Sequence, residues 1–154
     1  TARGNVAWGQ CKEYGLNSGH FLLEQKEIND INSPGGVFCD HTQMVTSSAV
    51  VSYKFLERTT VSGQMLFGSG LRTADADDPN AKTNSTHSPS YTIYNMSIAH
   101  VIPLGDNQKL LLGFDVVNLL DQKYFINQGE GSIGLGVSHA GMPRSFFFRG
   151  QYFF

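Results

Sequence analysis

Apolar and polar residues alternate one by one along several stretches of this chain, and segments with no period separate those stretches. Over 44–55, Val45, Ala49, Val51, Tyr53 and Phe55 oppose Thr46, Ser48, Ser52 and Lys54. A period of two marks a β-strand with unlike faces, and about 11 residues is the length that crosses a bilayer at a tilt. A tight turn at 56–58 leads to a return strand over 59–72, where Val61, Gly63, Met65, Phe67 and Leu71 oppose Ser62, Gln64, Gly68 and Arg72. Strands over 91–102 and 110–118 follow, joined by a short turn at 103–108, with pairing of the second expected to persist through Tyr124. Upstream, 5–12 reads as a strand. The last, 143–154, sets Phe146, Phe148, Gly150, Tyr152 and Phe154 on one face against Ser145, Phe147, Arg149, Gln151 and Phe153 on the other.

The aperiodic segments are 15–42, 73–90 and 127–142. Only the first holds a helical signal: in 21–31, Leu22 or Leu23 with Lys26, Glu27 and Ile31 fall at helical spacing, and Asn32, Ser33, Pro34, Gly35 and Gly36 end the run. The connections therefore run long, short, long, short, long. Outer-membrane barrels have short turns on the periplasmic side and long loops outside, so the expectation is an all-β, antiparallel, up-and-down transmembrane barrel segment of six strands with one short loop helix. A soluble up-and-down barrel shares the alternation, but it turns its apolar face inward and its loops are rarely so lopsided.

Composition agrees. With 16% charged residues, 17 glycines and 11 phenylalanines, the chain is no helical bundle. Lys plus Arg total only 11, with no basic run, so no nucleic-acid partner is expected. No stretch of about 18 apolar residues is present, which rules out a membrane-spanning helix and leaves barrel strands untouched. Residues 1–154 read as a single unit, and Thr1, Ala2, Arg3 and Gly4 start in mid-pattern, as a mature or truncated chain does. Six strands fall short of the roughly eight that close the smallest lipid-spanning barrels. A missing earlier part, or a second chain, is expected to complete the barrel.

An ordered set of motifs resembles the C-terminal end of a TonB-dependent outer-membrane receptor. It comprises Asp40, His41, Thr42 and Gln43 before a strand; Gly68, Ser69, Gly70, Leu71 and Arg72 at the top of the next; Pro89, Ser90 and Tyr91; Asn118, Leu119, Leu120, Asp121 and Tyr124; the glycine-rich Gly129, Gly131, Gly134 and Gly136; and Pro143 with Arg144 before the aromatic terminal strand. Each motif alone is weak, while the set in order and spacing covers essentially the whole chain. The resemblance implies the last six strands of a 22-stranded barrel whose plug, with its TonB-contacting segment, lies outside this chain. It implies TonB-driven uptake of a scarce small-molecule ligand such as a metal–siderophore complex, a bacterial outer-membrane location in contact with lipid, and a periplasmic C-terminus. The aromatics Phe146, Phe148, Tyr152 and Phe154 then resemble the signal read by the barrel assembly machinery. Ser62, Gln64, Asn95, Ser97 and Arg149 are expected to face the lumen and plug, and the glycine-rich 129–136 with the 73–90 and 15–42 loops to line the ligand vestibule, where Gly129, Gly131, Gly134, Gly136, His87 and His139 are the candidate ligand-loop residues. The rivals are a barrel-forming structural or split-receptor subunit that transports nothing itself, and a soluble β-barrel binding protein.

Other candidates carry less. Cys11 and Cys39 flank the first long loop, and an even count in an exported protein points to a disulfide worth roughly 3 to 4 kcal/mol for a closed loop of that size; two free thiols are the alternative. His20, His41, His87 and His139 lie in or beside the loops, with Asp75, Asp77 and Asp78 clustered in one. No HxxxH or CxxC spacing accompanies them, so solvated loop side chains are expected rather than a metal centre. Gly129, Gly131 and Gly134 match the letters of a dinucleotide fingerprint but sit between strands with no helix to follow, so no cofactor is expected. No nucleophile elbow is present, and the chain is not expected to be an enzyme.

Overall fold

The computed structural model describes residues 1–16, 23–39, 42–73, 75, 77–78, 80–127 and 139–154. In chain order its elements are β1 (Ala2–Trp8), β2 (Lys12–Glu13), α1 (Gln25–Ile31), β3 (Val37–Phe38), β4 (Val45–Phe55), β5 (Thr59–Gly68), β6 (Arg72–Thr73), β7 (Thr86–His87), β8 (Tyr91–Pro103), β9 (Lys109–Val117), β10 (Phe125–Asn127), β11 (His139–Ala140) and β12 (Ser145–Phe153). The six long strands form one antiparallel sheet in the order β1-β4-β5-β8-β9-β12, each beside its neighbour along the chain. Three two-stranded ribbons, β2-β3, β6-β7 and β10-β11, stand in the long connections.

Register across the five ladders sorts the side chains onto two faces. One carries Val6 and Trp8, Val51 and Tyr53, Val61 and Met65, Met96 and Ile98, Leu112 and Phe114, and Phe146, Phe148 and Tyr152, matched through pairs such as Val51↔Gly63, Ile98↔Phe114 and Phe148↔Phe114. No Asp, Glu, Lys or Arg of the six strands lies on it; Arg3, Lys54, Lys109, Asp115 and Arg149 all lie on the other. The sheet is a single layer among the described residues, and only Ile31, Val37, Ile93 and Val116 are buried apolar side chains. Two of those four belong to the loops. The apolar face stays open, with Phe148 84% exposed.

Connections at one end are minimal. Phe55↔Thr59 closes over Leu56, Glu57 and Arg58, and the next turn is held by the Leu104 N–H donating to the Gln108 carbonyl at 2.9 Å. All three long connections emerge at the opposite end. The antiparallel, mostly β, up-and-down order is that expected from the alternation; the described strands do not close into a barrel.

Several boundaries differ from expectation. The first strand is Ala2–Trp8 rather than 5–12, because its ladder ends where Trp8 meets Val45 and Cys11 is drawn into the β2-β3 ribbon. The return strand stops at Gly68, not at Arg72: Gly70 takes φ +88°, where any Cβ would strike the Ser88 carbonyl. The chain then turns outward into β6, which pairs β7 inside a segment expected to be loop alone. Pairing after β9 does not reach Tyr124, since Asn118 and Asp121 both take φ +53° and fold the chain back. The segment 127–142 likewise carries β11, paired with β10. The helix begins at Gln25, its start held by the Glu24 N–H donating to Glu27 Oε2 at 2.8 Å.

Leu56 (φ 48°) and Glu57 (φ 54°) are side chains in the left-handed region that Asn and Gly tolerate far better. Replacing them by Asn-Gly should raise the urea midpoint of the folded protein by an amount equivalent to about 1 kcal/mol. An unchanged or lowered midpoint would show that the turn is not strained.

Candidate functional site

The polar face is braced across its strands by side chains. Asn5 Oδ1 accepts from Ser48 N–H (3.1 Å) and Oγ (2.6 Å), and the hydroxyls of Ser52 and Ser62 meet at 2.8 Å. Asn95 Nδ2 donates to Gln64 Oε1 at 2.9 Å. Arg149 closes the row, with Nε and Nη2 on the two Asp115 oxygens (2.6 and 2.9 Å) and Nη2 also 3.3 Å from Ser97 Oγ. Ser62, Gln64, Asn95, Ser97 and Arg149 thus lie together on one face, and the first four line a concavity of about 420 Å³ with Val50, Asp115 and Phe147. Asp115 is the acceptor in this row that sequence reasoning missed. Its role has a signal at Gly113: a Cβ there would sit 3.1 Å from Arg149 Nη2, so the guanidinium lies across the glycine to reach the carboxylate.

At the loop end Asn118 is a hub, and at 1% exposure it is the most buried side chain among the described residues. Its N–H donates to Asn95 Oδ1 (2.9 Å), its Nδ2 to the carbonyls of Gln122 (2.9 Å) and Met142 (3.0 Å), and its Oδ1 accepts from Gln122 N–H (2.8 Å). Asp121 Oδ1 accepts from the Arg144 N–H at 2.9 Å, which ties the start of β12 to the end of β9. Leu119 N–H reaches the Tyr94 carbonyl at 2.7 Å, and the Tyr124 ring stacks 4.8 Å from Tyr91 and fills the space at Gly141 that a Cβ would need. The motif residues Asn118, Leu119, Asp121, Tyr124 and Arg144 therefore form a structural knot, with Pro143 in the chain between its partners Met142 and Arg144.

The first two long connections pack into one cap. Cys11 and Cys39 are disulfide-bonded at the base of the β2-β3 ribbon, Cα atoms 5.3 Å apart. Arg72 lies over the Phe38 ring, 3.8 Å from its centroid, with Nη1 on the Ser85 carbonyl (3.2 Å) and Nη2 beside Met44 Sδ (2.8 Å). Ser69 Oγ accepts from Val45 N–H at 3.0 Å, so the Gly68 to Arg72 motif ties β4 and β5 to the cap. Asn84, buried with φ 56°, donates to the Phe38 carbonyl at 3.0 Å. Asp30 Oδ2 accepts from Lys26 (2.8 Å) and from the Thr83 N–H (2.9 Å) and Oγ1 (3.0 Å). Burial of Asp30 opposes its charge, and the hydrogen bonds from Lys26 and Thr83 outweigh that and hold its carboxyl below the ordinary value. Nothing in the sequence pairs Asp30 with Thr83, 53 residues away.

His87 sits in β7 opposite Arg72, with Nδ1 3.0 Å from the Ser88 carbonyl, and His139 lies in β11 opposite Asn127. Among the described residues no three His, Cys, Asp or Glu side chains converge as a metal site would need. Gly129, Gly131, Gly134 and Gly136, with His20, Asp40 and His41, fall outside the described residues. The fold and site define a class by themselves: an amphipathic single-layer β-meander, apolar on one face and hydrogen-bonded on the other, crowned by a braced loop cap. No family model, curated protein or solved structure matches the chain.

Because Asp30 titrates lower when folded, its contribution to the cap is whole above the ordinary carboxylate value and is lost as pH falls through the folded value. The Thr83 amide-proton shift should follow this titration with a midpoint below 3.8, and should be flat in Asp30→Asn. A midpoint at or above the ordinary value would refute the clamp. Asn118→Ala should cost about 2 to 4 kcal/mol in urea unfolding, from lost hydrogen bonds near 1 kcal/mol each and the positive φ. Asn118→Gly should recover only the backbone part.

Proposed function

We propose that this chain is the C-terminal barrel portion of a TonB-dependent outer-membrane receptor that takes up a scarce ligand such as a metal–siderophore complex. The observation that carries this reading is the open, charge-free apolar face spanning all six strands. Each large apolar side chain left in water forgoes about 1.5 to 3 kcal/mol, so a face this broad calls for a covering, and none of the described residues supplies one. Lipid acyl chains cover it with no further structure. The opposite, hydrogen-bonded face suits a barrel interior packed on a plug, and the lopsided connections suit extracellular loops over periplasmic turns.

The outer edges of β1 and β12 lack ladder partners among the described residues. In lipid each unpaired backbone group costs several kcal/mol, roughly, so in this reading further strands close the sheet toward a barrel of 22, with the plug inside. Those strands belong to the same protein or to a second chain. The open edges equally support a split-receptor subunit that builds barrel without transporting by itself. A soluble barrel is disfavoured, since it would bury the face that is open here. In the proposed setting the protein sits in the bacterial outer membrane with Phe154 in the periplasm; it meets lipid, the barrel assembly machinery and, through the plug, TonB, and it performs no catalysis.

The protein should require detergent to stay dispersed and should migrate differently on gels before and after boiling. A folded, monodisperse protein in plain buffer would overturn the membrane reading. Deleting Phe154, whose ring lies 6.1 Å from Tyr152, or replacing Tyr152 by Asp, should reduce surface levels far more than ligand affinity in the protein that reaches the surface. Normal surface levels in both variants would remove the assembly role.

A further inference from the structure

Two lysines of the cap converge on one turn. Lys12 Nζ donates to the Gly35 carbonyl at 3.3 Å and Lys82 Nζ to the Pro34 carbonyl at 2.9 Å, so ammonium groups from segments 70 residues apart in sequence sit on consecutive peptide units. Both line a cavity of about 300 Å³ with Gly35, Gly36, Val37, Phe38, Thr83 and Ser85. Among the described residues no carboxylate lies within salt-bridge distance of either lysine; the ion pairs there are Lys26–Asp30 and Arg149–Asp115. Glu13 follows Lys12 on the same ribbon, so strand alternation turns it to the opposite face. Asp30 is occupied by Lys26 and Thr83.

Each ammonium has three donors. One contact apiece to a neutral carbonyl leaves the others available for a ligand, and two cations lining one cavity favour a multiply charged anion between them. Lysines act as point charges that bind a tetrahedral oxyanion without requiring the planar, bidentate partner that the arginine fork favours. Phe38 adds an aromatic wall, already flanked by Lys12 at 5.1 Å and by Arg72 at 3.8 Å from its centroid. We propose that this cleft binds a phosphate-class oxyanion carried on a ring-sized body, with Lys12 and Lys82 gripping the phosphate, the Ser85 hydroxyl donating to it, and Phe38 packing on the ring. The site stands on the cap alone; the membrane reading bears only on whether the phosphate arrives on a lipid headgroup or on a free solute.

The test titrates the full chain, folded in zwitterionic detergent, with glucosamine 1-phosphate while following the Gly35, Gly36 and Thr83 amides by NMR. Saturable shifts are expected. The double variant Lys12→Gln/Lys82→Gln should bind at least about tenfold more weakly, while Lys54→Gln, at the far end of the sheet, should bind as wild type. Should the double variant not fold, Lys82→Gln, which leaves the cystine ribbon intact, should still lose affinity. Absence of shifts in the folded wild type, or unchanged affinity in the folded lysine variants, overturns the site. Heat-modifiable migration, read on the same samples, reports separately on the membrane reading. Nanodiscs carrying a phosphorylated glycolipid then compete with the sugar phosphate: displacement assigns the site to a lipid headgroup, and no displacement assigns it to a soluble solute.

Discussion

Everything in this molecule depends on the register of five antiparallel ladders. A slip of one residue would carry a strand's apolar set to the polar face and its charges to the apolar one. Backbone pairing alone does not prevent a slip, because each ladder can reform one step along. What pins it is chemistry that works at one alignment only: Asn95 on Gln64, Ser52 on Ser62, and the Arg149 fork on Asp115 across Gly113. The polar face therefore does more than tolerate its surroundings. It fixes which residues of the opposite face stand together.

The two ends of the sheet solve different problems. At the turn end, three and five residues reverse the chain, and little beyond the ladders is needed. At the loop end, connections of more than 20 residues would leave the strand tops free to fray. The Asn118 knot and Arg72 prevent this by joining strand ends to one another as well as to their own loops. Asn118 ties β8, β9 and the approach to β12, and Arg72 ties the approach to β4 to both cap segments. A short polar side chain serves at position 118 because it supplies two donors and an acceptor and tolerates a positive φ.

Strands were legible because alternation is local and strict, and the long β4, β5, β8, β9 and β12 fall within a few residues of where it placed them. The ends were less so. Gly68 to Arg72 continues the alternation on paper, but only the crowding of Gly70 against Ser88 shows why the chain must leave the sheet there. The segment 119–124 reads as strand by composition, yet two residues with positive φ turn it into a knot. The helix and the Cys11–Cys39 bond apart, the packing of the cap was invisible for a deeper reason. Its bonds join Asp30 to Thr83, Asn84 to Phe38 and Lys82 to Pro34, side chains to backbone groups far off in sequence, and no periodicity encodes such pairs.

The cap also shows why loop length misleads. Fixing a residue costs about 1 to 2 kcal/mol of backbone entropy, so ordering long polar segments over a sheet needs a source of binding energy. Here the apolar share is small, Ile31 and Val37, and the disulfide and charge-assisted bonds carry the rest. A cap held that way is ordered without being greasy. Its bonds set Lys12 and Lys82 on the Gly35 and Pro34 carbonyls of one turn and along one cavity. An anion held by both lysines would join the two cap segments once more, so its binding would add to the bracing that orders the cap.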